Sequence, residues 1–139
     1  MNKEVVSAKL ESLRRCVQRI KNKTPASPAA LLEDNDLQDI ICVNLERAVQ
    51  LCVDLASHIL SESDMPAPGS MGESFEQLCK LHMISAELAA RMKKAVGFRN
   101  VAVHAYQEIN WEIVYAIITK RLTDFVEFTK AVSKTAGLR

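Results

Sequence analysis

The sequence is short of the residues that punctuate strand-and-turn proteins. Glycine and proline occur four times each in 139 residues, and aromatics make up 5%. So few turn formers, beside abundant Ala, Leu, Ile, Val, Glu and Lys, favour helices over short strands. No run approaches the roughly 18 uninterrupted apolar residues of a membrane span. The opening Met1-Asn2-Lys3-Glu4 leads into an amphipathic pattern and not into the apolar stretch of a secretory signal. Cys16, Cys42, Cys52 and Cys79 contain no Cys-x-x-Cys pair, so they read as reduced, mostly core thiols. These features together set the expectation of a cytoplasmic chain that meets no membrane. A Gly-rich phosphate loop, a Ser-His-Asp set and a paired-carboxylate motif are all missing. Cys79-x-x-His82 has no second pair to complete a metal site. Neither a metal nor a cofactor is expected.

What is present fits an ordinary globular domain: 48% hydrophobic and 25% charged residues, long enough to bury a core without staples. One domain over 1–139 is the natural reading. The net charge of +1 does not announce a nucleic-acid binder, although a balanced chain can still carry a local basic patch.

Helical periodicity covers most of the chain. Val6, Leu10, Leu13, Val17 and Ile20 form one stripe of a helix over 2–22, its charged face carrying Lys9, Glu11, Arg14, Arg15 and Arg19. Thr24, Pro25, Ser27 and Pro28 interrupt it. A second helix over 36–61 buries Leu37, Ile41, Leu45, Ala48, Cys52, Leu55 and Ile59. Ile40, Val43, Leu51 and Ala56 widen its apolar surface enough for a bundle core and a second subunit. After a loop over 61–73, a third helix over 74–96 is expected, with Gly97 at its end. A short fourth helix runs over 98–109, and a fifth, capped by Asn110, carries Trp111, Val114, Ile118, Leu122 and Phe125 inward and ends near Thr135. The predicted fold is all-α, an up-and-down bundle of four or five helices.

The chemistry concentrates in Arg91-Met-Lys-Lys-Ala-Val-Gly-Phe-Arg-Asn-Val-Ala-Val-His-Ala-Tyr106. Projected as a helix, Phe98, Val101, Ala102, Ala105 and Ile109 occupy a core-facing arc. Arg99 and Tyr106 then line up on another side, with Asn100, His104 and Gln107 in a row beside them. These groups suit RNA cleavage without a metal. His104 can accept or donate a proton near neutrality, Arg99 can grip phosphate in two-pronged fashion, and Asn100 can orient the imidazole or bind RNA. Arg91, Lys93 and Lys94 add positive charge, with no acid between Arg91 and Arg99, as a candidate RNA-guiding patch.

Arg99-Asn-Val-Ala-Val-His104-Ala-Tyr106 resembles the Arg-x4-His-x-Tyr motif of HepT-like toxins, a branch of the HEPN superfamily. The flanking "VGFRNVAVHAY", "INWEIVYAII" and "SFEQL" segments are similar as well, so the resemblance covers nearly the whole chain. It implies a HEPN-type bundle that forms a homodimer, with two motif copies facing one composite cleft. It implies a metal-independent endoribonuclease toxin with Arg99 and His104 catalytic and Asn100 auxiliary. It also implies a cognate minimal nucleotidyltransferase antitoxin that silences the toxin by adenylylating Tyr106. Two other readings remain beside it: a noncatalytic HEPN subunit that helps a nucleotidyltransferase hold its nucleotide or substrate, and a structural helical adaptor. Taken on spacing alone, Arg99, His104 and Tyr106 fit a solvated helix face better than a catalytic site.

Overall fold

The computed structural model describes residues 2–138. Among them are seven α-helices: α1 (Lys3–Lys23), α2 (Pro28–Glu33), α3 (Asn35–Leu60), α4 (Met71–Lys80), α5 (Ala86–His104), α6 (Trp111–Lys120) and α7 (Leu122–Thr135). A 3₁₀ turn over Tyr106–Glu108 joins α5 to α6. The all-α bundle expected from periodicity is present, with more helices than the four or five anticipated.

The central member is α3. It packs along α1 on one side and against α4 and α5 on the other, while α7 closes the bundle against α1, α3 and α5. The α1 stripe is buried as its spacing requires, with Val6, Leu13 and Ile20 inaccessible to solvent. The start of α1 is set by Asn2, whose Oδ1 accepts from the Glu4 and Val5 amides, satisfying donors that have no partner within the helix. In the centre, Phe75 of α4 meets Phe128 of α7 edge to face at 5.6 Å, the arrangement favoured by the ring quadrupoles.

Four boundaries differ from the sequence expectation. Pro28, read as part of a break, begins the short helix α2: proline suits a first helical position, and Ser27 Oγ accepts from the Ala30 amide. Buried Gln38 ties α2 to α3 by donating to the Leu31 and Leu32 carbonyls.

The expected helix over 74–96 is two helices. α4 begins earlier, capped by Ser70, and ends where His82 takes a left-handed backbone at φ 59°. His82 N–H donates to Cys79 O, and Met83 N–H donates to Leu78 O. That pair of bonds closes the helix in the way a C-terminal glycine usually does. Ser85 then caps α5 through the Leu88 amide.

The third difference concerns Gly97, which does not end a helix. α5 runs through it to His104, merging the end of the expected third helix with the start of the fourth. A Cβ at Gly97 would meet no heavy atom within 4 Å, so crowding does not account for the glycine. The fourth is the split of the expected last helix at Arg121 into α6 and α7. Thr119 Oγ1 donates back to Tyr115 O at 2.7 Å, a bond associated with bending of helices.

Candidate functional site

The end of α5 carries the candidate residues. Counted at about 100° per residue, Asn100 and His104 share one face of α5, and Arg99 is turned from His104 by roughly 140°. The Arg99 guanidinium Nη1 lies 3.4 Å from Asn100 Oδ1, so the amide links the two directions. His104 and Asn100 are exposed and Arg99 is half-buried. Among the described residues, none hydrogen-bonds to the His104 ring. One helix end therefore offers a guanidinium, an amide and an unconstrained imidazole to solvent.

Tyr106 does not continue this helix. The Ala105 backbone (φ −146°, ψ 53°) leaves the helical region, and Tyr106 stands in the 3₁₀ turn, out of line with Arg99. Two contacts hold it there. Its hydroxyl donates to Asp39 Oδ1 of α3 at 2.7 Å, and its ring meets Trp111 edge to face at 5.8 Å. Partial burial, then the Asp39 hydrogen bond, push the phenol well above its ordinary pKa. The group is a neutral phenol whose proton is already directed at a carboxylate. Nothing in the spacing of the motif pointed to Asp39, which lies 67 positions away.

The arc predicted to face the core is only partly buried. Ala102 is, but Phe98, Ala105 and Ile109 are half-buried, and Val101 retains 39% of its exposure. Phe98 and Val101 line an apolar groove of about 510 Å³ together with Leu45, Ile113 and Ile117. Ile113 is 57% exposed.

The expected basic patch is largely offset by acids from elsewhere in the fold. Arg91 Nε donates to Asp124 at 2.7 Å and its Nη2 to Glu127 at 2.9 Å. Lys93 pairs with Glu76 of α4. Lys94 is among the residues that line the apolar groove. Acids of α7 and α4 thus pair with Arg91 and Lys93 of this run. Cys79 and His82 do not share a helix face either, because His82 lies in the left-handed turn. Among the described residues, no three His, Cys, Asp or Glu side chains come together as a metal site, and no helix is long and apolar enough to cross a membrane.

A basic groove between α1 and α3 had no counterpart in the sequence reading. Arg15 and Arg19 of α1 and Arg47 of α3 line it together with Asp39. The sequence places the two α1 arginines on the charged face of the first helix, open to solvent or to a partner protein.

Comparison with known proteins gives a consistent result. Residues 13–132 match the family described as "Ribonuclease HepT-like". The chain is 33% identical over 129 residues to the mRNA nuclease HepT of Shewanella oneidensis, covering 93% of this chain and 96% of the relative. It is 25% identical over 129 residues to the tRNA nuclease HepT of Aphanizomenon flos-aquae, covering 93% and 88%. Among solved structures, it superposes with a TM-score of 0.89 on a tri-AMPylated Shewanella oneidensis HEPN toxin in complex with MNT antitoxin. That pair is 34% identical, covering 96% of this chain and 99% of the other.

Proposed function

The chain belongs to the HepT-like ribonuclease family, and on that premise we propose that it is an endoribonuclease toxin whose cleaving face is the end of α5. The observation that carries this reading is the presentation of Arg99, Asn100 and His104 at that end, with an imidazole that no other described side chain occupies. Cleavage begins with attack of a ribose 2′-oxygen on the adjacent phosphorus. His104 takes part in the proton transfers this requires. Arg99 stabilises the negative charge that develops on the phosphorane oxygens, and Asn100 orients Arg99. None of these roles calls for a metal ion.

Two chains complete the site in this reading. Arg99 and His104 leave the helix axis roughly 140° apart, which favours a cleft that a second copy completes. A homodimer with paired motif helices brings the groups of two chains into one cleft. The apolar groove beside α5, with Val101 and Ile113 open to solvent, supports such an association, because burying that surface is favourable.

The regulator is a nucleotidyltransferase antitoxin, supported by the resemblance to the AMPylated HEPN toxin bound to its antitoxin. The acceptor is Tyr106. Adenylylation from ATP joins the phenolic oxygen to the α-phosphorus, releases pyrophosphate and removes the proton now hydrogen-bonded to Asp39, leaving a phosphodiester in its place. That change sets a negative group against a carboxylate and adds bulk beside the cleaving face.

The test is direct. Purified chain, free of partner and shown by intact mass to be unmodified, is incubated with total cellular RNA in excess EDTA. Discrete cleavage is expected with the chelator present. RNA that stays whole with EDTA but is cut when Mg²⁺ is restored would refute the metal-free mechanism.

A further inference from the structure

We infer that the groove between α1 and α3, lined by Arg15, Arg19 and Arg47, seats the phosphodiester backbone of the RNA substrate. The inference rests on the ribonuclease reading above and adds a second place where the RNA is held.

The two basic regions of the molecule differ in how they are compensated. On the α5 side, Arg91 is held by Asp124 and Glu127, and Lys93 is paired with Glu76. In the α1–α3 groove, three guanidinium groups face one carboxylate, Asp39, which is engaged by Tyr106 at 2.7 Å. Arg15 also approaches Glu11 at 3.5 Å, and Glu11 is shared with Arg14. Arg19 and Arg47 have no ion-pair partner among the described residues. Glu46 lies close enough to disfavour ionisation of both Cys42 and Tyr106. In a chain of net charge +1, this concentration of positive charge is local.

The form of the groove fits a nucleic-acid strand. It has a volume of about 570 Å³, is open to solvent, and includes the apolar side chains of Ile40 and Val43 beside the arginines. Val43 is 39% exposed. Guanidinium groups in a row pair with successive phosphates, and apolar side chains between them accept ribose or base faces. Its position matters as much as its charge. Asp39 belongs both to the groove and to the Tyr106 hydrogen bond, and Tyr106 follows His104 by two residues. The groove therefore opens beside the cleaving end of α5, and a strand lying in it runs past Tyr106. A nucleotide attached at Tyr106 would stand at the mouth of this groove, which gives silencing a defined steric and electrostatic target.

The experiment measures binding of a fluorescein-labelled single-stranded RNA of mixed sequence by anisotropy across a salt series. The parent is the full chain carrying His104→Ala, which keeps the RNA whole. Adding Arg19→Ala and Arg47→Ala is expected to weaken binding by about tenfold or more. It should also flatten the dependence of log Kd on log salt by about 1.4, since each lost phosphate contact on a single strand removes about 0.7. Adding Arg14→Ala instead, an exposed arginine committed to Glu11, is expected to change neither value. Unchanged affinity and slope in the double variant, while the chain with His104 intact still cuts RNA, would overturn the groove alone. Failure of the parent to bind RNA and of the unmutated chain to cut it would overturn the ribonuclease reading with it. Loss of binding with an unaltered salt slope, or loss that tracks dissociation of the chains in sedimentation, would also overturn the groove.

Discussion

Replacing His104 by alanine is expected to slow RNA cleavage by about 10²- to 10⁴-fold, the range lost when a positioned proton-transfer group is removed. Folding should be little affected. The side chain is exposed and receives no hydrogen bond from the other described residues, so the change in stability should fall within about 0.5 kcal/mol. The loss belongs in the chemical step and is read in single-turnover reactions with protein in excess. Arg99 provides the companion test. Arg99→Lys keeps the charge but gives up the planar fork that matches a phosphate, so most of the loss seen with Arg99→Ala should remain. A His104→Ala chain that cuts RNA at the unmutated rate would remove the imidazole from the mechanism.

Tyr106→Phe is expected to separate the toxin from its control. The variant keeps the ring that packs against Trp111 and loses the oxygen that would receive AMP. It also loses one hydrogen bond to Asp39. That costs about 0.5–1.5 kcal/mol for a typical pair, and the partial exposure of Tyr106 places it toward the lower end. Incubated with a cognate nucleotidyltransferase and ATP, the unmutated chain should gain the mass of one or more AMP groups and stop cutting RNA. The phenylalanine chain should gain no mass and continue to cut. Covalent silencing of the phenylalanine variant would show that the acceptor lies elsewhere.

These expectations draw on features of unequal visibility in the sequence. The stripes of α1 and α3 were readable because each helix buries one face, and residues such as Leu13, Ile41 and Leu55 follow the helical period. The motif helix was readable for its polar end. Its other face was misjudged because apolar residues that line an open groove carry the same pattern as core residues, as Val101 shows. The helix boundaries were obscured for local reasons. His82 ends α4 without glycine, Gly97 is carried inside α5, and no glycine or proline marks the departure at Ala105.

The longest-range features left no local trace. Asp39 meets Tyr106 across 67 positions, and the ion pairs of Arg91 span 33 and 36. Periodicity assigns faces, but it does not say which acid a basic residue will meet. The patch 91–94 therefore looked more basic in the sequence than it is in the fold. For the same reason, Arg15, Arg19 and Arg47 gather in one groove only once α1 lies along α3.

The end groups left on the RNA test most directly the claim that side chains of α5 drive attack by the 2′-oxygen. Fragments produced by the unmodified chain in EDTA should carry 2′,3′-cyclic phosphates upstream of the cut and 5′-hydroxyls downstream. Mass spectrometry of a short cleaved oligonucleotide reads both ends at once. Fragments ending in 3′-hydroxyl and 5′-phosphate would mean that water, and not the ribose, attacks the phosphorus, which contradicts this account.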